Sequence, residues 1–250
     1  MNNYKNETKK IVFTAIPFII LSLILVTITV TALPSQPLLT YVTNETSASS
    51  GVGQARDGDK GGYITTINLY ASQQNFAWKA YVGNVTGKLV LENSGQFSIF
   101  EWDMGLDALG NVYISRNGTV SWSGINCSNQ TEKENEDSFL GLDSTSSNSI
   151  NTTFNDTIHK SFTISGVDYS NSSCYAISTY INDTVQPKNE GAKFQEVLLA
   201  DSQSNIVYMV MMEQNQVGYD NTSYDFQAIV AEDEAASTPT RYFFYVELSG

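Results

Sequence analysis

The chain is 250 residues long with 13 basic and 26 acidic residues, a formal net charge of −13, and only 16% of its residues are charged. That length is ample for one large β-rich domain, or two small ones, with a real core. The acidic balance argues against a nucleic-acid partner, whose phosphates would be repelled.

Residues 1–10 are polar and carry Lys5, Lys9 and Lys10, and they run into the uncharged stretch "IVFTAIPFIILSLILVTITVTAL" from Ile11 to Leu33. At ~1.5 Å of rise per residue, that stretch as a helix spans a hydrocarbon core of ~30 Å. The flanking lysines place the 1–10 segment in the cytoplasm and everything after Leu33 outside. The run is longer than the ~7–15 residues of a signal h-region, which favours a retained anchor. "VTA" at Val30 to Ala32 keeps the alternative open, in which cleavage after Ala32 releases a secreted protein.

Residues 34–61 are rich in Ser, Thr, Gly and other small polar residues without helical or strand periodicity, and read as a flexible linker. From residue 62 onward the pattern becomes short period-two runs separated by turn residues. "YITTINLY", "FAWKAYVG", "GKLVLE" and "QFSIFEW" follow one another as strands, with "GNVTG" (Gly83 to Gly87) as the turn between the second and third. "VYISRNGTVSW" predicts a type I′ hairpin turning at Asn117-Gly118, both of which tolerate positive φ, with Val112 and Ile114 opposite Val120 and Trp122.

"SNQTEKENEDSFLGL", Ser128 to Leu142, predicts one short helix whose carboxylates form a solvated face, and the Ser-, Asn- and Thr-rich residues 143–156 read as a loop. Strands resume at "SFTISG", "CYAISTY", "FQEVLLAD" and "NIVYMVMM". The last is apolar on both faces, the pattern of a central strand covered on both sides. "YDFQAIV", the acidic turn "AEDEAASTP" and "RYFFYVEL" complete the series. The expected fold is all-β, a β-sandwich over residues 62–250 built of many short, mostly antiparallel strands with one short helix. "RYFFYVEL" and "YITTINLY" are the expected sheet edges, where another copy or partner would add a strand.

The only cysteines are Cys127 and Cys174. In an exported chain an even number invites pairing, against the alternative of two unrelated buried thiols.

The segments "WKAYVGNVTGKLVLENS", "FEWDMG", "SWSGINCSNQTEKENEDSFLGL", "NTTFNDTIHKSFTISG", "SCYAISTY", "FQEVLLADSQSNIVYMVMME", "YDFQAIVAE" and "RYFFYVELS" cover nearly all of Tyr63 to Ser249 in order. Together they resemble an uncharacterised family of archaeal secreted or membrane-anchored surface proteins. The resemblance implies a β-rich ectodomain bridged through Cys127 and Cys174, and it brings no activity with it.

N-x-S/T sequons at Asn44, Asn84, Asn117, Asn126, Asn129, Asn151, Asn155, Asn171, Asn182 and Asn221 make N-glycosylation an expectation. His159 is the sole histidine, which removes multi-histidine zinc sites and leaves a structural hydrogen bond as its commoner use. Asp201, Asp220 and Asp225 sit in loops, where an extracellular calcium ion finds oxygen ligands, although turn formation is the ordinary role of such aspartates. Glu101 and Asp103 flank Trp102 like a glycosidase pair, without the spacing that would define one. Trp102 and Tyr113 are aromatics that would stack on sugars or simply pack. The resulting expectation is a non-enzymatic cell-surface glycoprotein with a structural or adhesive role and no cofactor. Its membrane contact is through residues 11–33, and its partners are copies of itself, a glycan or a protein. A carbohydrate- or partner-binding module and, more weakly, a hydrolase are the alternatives.

Overall fold

The computed structural model describes residues 38–41, 63–75, 77–92, 98–103, 109–233 and 240–249, all within one compact unit spanning Ala32–Gly250. Segments 1–10 and 11–33, the cleavage point at Ala32, the sequon at Asn44, most of linker 34–61 and most of the "AEDEAASTP" turn lie outside the described residues. Among the described residues no helix is long and apolar enough to cross a membrane.

The strands are β1 (Leu38–Tyr41), β2 (Tyr63–Asn75), β3 (Trp78–Glu92), β4 (Ser98–Asp103), β5 (Leu109–Ser115), β6 (Asn126–Cys127), β7 (Phe162–Ile164), β8 (Val167–Tyr169), β9 (Ala176–Ser178), β10 (Gln195–Ala200), β11 (Ile206–Met211), β12 (Gln216–Val217), β13 (Ser223–Tyr224), β14 (Phe226–Ala231) and β15 (Phe243–Ser249). The helical elements are α1 (Gln130–Phe139), α2 (Ile150–Thr153) and a 3-10 turn at Trp122–Gly124. The described residues are therefore mostly β, as expected. β1, which pairs parallel with β2, falls inside the stretch read as linker.

Two larger sheets carry the fold. In the first the order is β1-β2-β3-β14, with β4 also on β3; in the second it is β15-β5-β11-β10-β6, with β9 also on β10. β7–β8 and β12–β13 are separate hairpins. Alternation along the strands explains the core. Ile67, Leu69, Val85, Phe226, Ala228 and Val230 of the five-stranded sheet share one apolar cluster with Val112, Ile114, Leu198, Tyr208, Val210, Phe244 and Val246 of the six-stranded sheet. The opposite side chains of the six-stranded sheet, including Tyr113, Val197, Leu199, Val207, Met209 and Tyr245, form a second cluster with Val120, Ile125, Phe162, Ile164 and Cys174. β10 and β11 are thus buried at every position, which accounts for the two-faced apolar run in β11. Each fully buried side chain of this kind stabilises the fold by ~1.5–3 kcal/mol.

Three local expectations are corrected. The "GNVTG" stretch is not a turn: β3 runs through it, with Gly83, Asn84 and Val85 opposite Leu69, Asn68 and Ile67. Gly83 allows close backbone approach instead, since a Cβ there would lie 1.7 Å from the Asn68 carbonyl oxygen. The Asn117-Gly118 hairpin does not form either. β11 and β15 occupy both edges of β5, and neither turn residue has the positive φ that a type I′ turn needs. Asn117 closes a local turn by accepting the Thr119 N–H at 3.1 Å, and Trp122 packs edge-on against Tyr113 and Tyr245.

The third correction concerns α1. It begins with a capping box, in which Asn129 Oδ1 accepts the Glu132 N–H and Glu132 accepts the Asn129 N–H. Its charged residues are not all solvated, because Lys133, Glu136 and Asp137 lie on one face at i, i+3 and i+4 and are buried. Lys133 donates to the Phe154 carbonyl at 3.0 Å with its ammonium over the Tyr175 ring, and burial lowers its pKa. Glu136 receives two hydrogen bonds of 2.6 Å from Arg116 at the end of β5. Asp137 accepts the Ile150 and Asn151 N–H groups at the start of α2, which accounts for the second helix in residues read as loop.

Candidate functional site

The two cysteines are joined, with their Cα atoms 4.9 Å apart. Cys127 lies on β6 and Cys174 lies two residues before β9. Both strands pair with β10, so the bridge staples two neighbours along one strand edge. Beside it, fully buried His159 accepts the Ser173 N–H (3.0 Å) and the Cys174 N–H (2.9 Å) at Nε2, while Nδ1 faces the Lys160 carbonyl at 2.7 Å. Two N–H donors at Nε2 fix the neutral Nδ1–H tautomer. Both ring nitrogens are occupied by backbone, so the imidazole holds the 159–174 loop in place.

The loop aspartates are held in turns. Asp201 closes the β10–β11 connection by accepting from the Gln203 and Asn205 N–H groups, the Asn205 amide and the Ser121 N–H. Burial works to raise its pKa, but these donors outweigh it and the net direction is down. Asp225 accepts the Val85 and Asn215 N–H groups, and Asp220 accepts the Thr222 N–H and the Tyr224 hydroxyl. Among the described residues no group of three or more His, Cys, Asp and Glu side chains converges as a metal site. Glu101, Trp102 and Asp103 occupy successive positions of β4 opposite Val90, Leu89 and Lys88, and their side chains lie outside the described set. Tyr113 is fully buried and donates its hydroxyl to Glu247; it packs in the core and offers no face to a sugar. Burial, and then the Glu247 carboxylate, raise its pKa.

N-glycosylation attaches at the asparagine Nδ2, and the sequons differ there. Asn117, Asn151 and Asn171 donate Nδ2 to Thr119, Ser144 and Glu190 respectively. Asn84 is a half-buried strand residue, and its buried Oδ1 has no partner among the described residues. Asn126, Asn129, Asn155, Asn182 and Asn221 are exposed, and none uses its Nδ2 in a hydrogen bond within the described residues.

The outer face of the five-stranded sheet carries a groove that no contiguous stretch of sequence announces. On β3 and β14, Ala80, Gln227 and Ile229 form its floor, and the segments around Tyr180 and Tyr219 form its wall. Its larger hollow, ≈ 570 Å³, is completed by Trp78, Ser147, Asn148, Ser178 and Asp183. A second hollow of ≈ 320 Å³ shares Ala80 and Tyr219 with it and adds Tyr70, Asn84 and Tyr224. Burial, and then Asp220, push the Tyr224 pKa up to about 12.

The walls are fixed by long-range bonds. The Asn182 and Asp183 N–H groups donate to the Gly218 and Tyr219 carbonyls at 2.9 and 2.7 Å. Gln227 donates to Thr179 Oγ1 and the Tyr180 carbonyl and accepts the Tyr219 N–H. The Trp78 indole donates to the Asn148 carbonyl at 2.9 Å. Of the groove residues, Asn84 and Asp220 stand out in the sequence for other reasons, as a sequon and as a loop aspartate. Tyr180 was visible only as part of "CYAISTY", and nothing local marks its partners, which come from segments far apart in the chain.

Comparison with protein families, with characterised proteins and with solved structures finds no match for this chain.

Proposed function

We propose that the protein is a non-enzymatic cell-surface glycoprotein of the archaeal surface type its segments resemble. In this reading a β-sandwich domain, residues 62–250, is held outside the cell by residues 11–33 and takes part in adhesion. The observation that carries it is the groove: a rigid hollow lined by aromatics, amides and hydroxyls, of the size range of ligand sites (~300–1,000 Å³). The single disulfide supports an oxidising compartment. Protease added to intact cells expressing the full chain is expected to remove the domain, and cells displaying it are expected to adhere where control cells do not. Retention of the whole protein inside the cell, or hydrolysis of a polysaccharide or peptide that is lost on changing Glu101, Asp103 or His159 while the fold persists, would overturn the reading. Glycopeptide mass spectrometry is expected to find occupancy concentrated at Asn126, Asn129, Asn155, Asn182 and Asn221, with Asn84, Asn117, Asn151 and Asn171 low.

A further inference from the structure

We propose that the groove is a binding site for a neutral oligosaccharide, with at least one sugar unit beside Tyr180 and a second beside Asn84. This assignment rests on the adhesive reading above and gives it a ligand class.

Charge narrows the choice first. Among the described residues no lysine or arginine lines either hollow, and the carboxylates at their rims are Asp183 and Asp220. On a chain of net charge −13, a phosphate, sulfate or uronate would find repulsion and no counter-charge.

Hydrogen-bonding chemistry narrows it further. The side chains of Ser147, Asn148, Ser178 and Asp183 line the larger hollow and make no hydrogen bond within the described residues. Together they offer both donors and acceptors, which suits sugar hydroxyls because each hydroxyl also does both. Asn84 lines the adjoining hollow with Tyr70 and Thr222, and its Nδ2 makes no hydrogen bond within the described residues, which leaves it to donate to a sugar hydroxyl.

The apolar component has the matching form. Tyr180 is 53% exposed at the rim, and its phenol ring offers a flat apolar platform for the C–H face of a pyranose. The bonds from Asn182, Asp183 and Gln227 hold that rim before any ligand arrives, so little ordering remains for binding to impose. Strand addition by an extended peptide needs a row of free backbone groups, which the groove floor, a sheet face, does not offer.

Such a sugar has two sources. One is a polysaccharide outside the molecule; the other is the chain's own N-glycan at exposed Asn182, which lies in the chain between the lining residues Tyr180 and Asp183. The test uses the full chain in detergent, with and without N-glycans, titrated with neutral gluco-, manno- and galacto-oligosaccharides and with their sulfated and uronic-acid counterparts. Neutral oligosaccharides are expected to bind and the acidic series to bind more weakly. Tyr180→Ala is expected to weaken binding about tenfold, the ~1.4 kcal/mol of one lost contact. Asn148→Ala is expected to weaken it in the same direction. Phe139→Ala, at an exposed aromatic outside the groove, is expected to leave it unchanged.

If added sugar binds only after Asn182→Gln or glycan removal, the site stands and its occupant is the chain's own glycan. Preference for the acidic series, equal binding by Tyr180→Ala with an unchanged melting curve, or no saccharide bound by any form would overturn the assignment. In those cases, adhesion by displayed domain that persists with Tyr180→Ala would leave the surface role intact, whereas loss of adhesion altogether in the native protein would sink that role as well.

Discussion

The two faces that flank the six-stranded sheet and the outer face of the five-stranded sheet use similar polar residues for opposite ends. Around the six-stranded sheet, His159, Asp201 and Glu247 are each held by two or more described partners or by a core tyrosine, and they fix loops to the sheet. On the outer face of the five-stranded sheet, Asn148, Ser178 and Asp183 face a hollow, and their side chains make no hydrogen bond among the described residues. The first arrangement makes a closed layer whose disturbance is felt as stability. The second is built to be completed by something else, so its disturbance should be felt as binding.

The comparison breaks most visibly at the disulfide. Replacing Cys127 and Cys174 by serine should lower unfolding free energy by ~4 kcal/mol, the chain-entropy estimate for a loop of this length, read as a fall in the urea midpoint. His159→Ala strands the Ser173 and Cys174 N–H groups in the closed layer and should cost about 3 kcal/mol. A loss below ~1 kcal/mol in the same urea assay would show that the imidazole is not what holds the loop.

Glu196 sharpens the comparison through pH. It is fully buried on β10, accepts the Ile229 N–H at the open edge of β14 at 2.9 Å, and burial raises its pKa well above the usual carboxylate range, against the opposing effect of that bond. The folded state therefore holds this proton more tightly than the unfolded state. Its contribution to stability is full below the unfolded value of 4.5 and is lost as pH rises from there through the raised native pKa. Glu196→Gln, which keeps the acceptor without the charge, should flatten that decline. A melting-temperature profile from pH 4 to 9 that is unchanged by the substitution would refute it. Asp201 works in the other direction, since its lowered pKa makes its stabilisation present above 3.8 and lost on acidification. The smallest effect belongs to the groove, where Tyr180→Ala should change stability by less than ~0.5 kcal/mol in the urea assay that detects the others.

What the sequence made legible follows the same division. The two-faced apolar run at Ile206–Met211 announced a central strand, because burial on both sides leaves no polar positions to hide the pattern. α1 was legible as a short charged helix, but the face it buries is ionic, and a run of charge that reads as a solvated face hides the burial of Lys133, Glu136 and Asp137. Gly83 and the Asn117-Gly118 pair carry turn chemistry that tertiary pairing overrides. The groove was illegible because its floor is two strands and its wall two loops, joined only after the sheets assemble.

The placement of β5 has a further consequence for the order in which the protein is made. Tyr113 on β5 and Glu247 on β15 are 134 residues apart in the chain, and β11, its other neighbour, also follows it. A polypeptide emerging amino end first therefore carries β5 with neither edge covered until residue 206 appears, and with one edge bare until residue 243 appears. Chains arrested before Phe243 are expected to self-associate through β5, and pulse-labelled hydrogen exchange is expected to find the β5 amides among the last to gain protection. Protection of the β5 amides that pair with β15 before β15 has been synthesised would rule this order out.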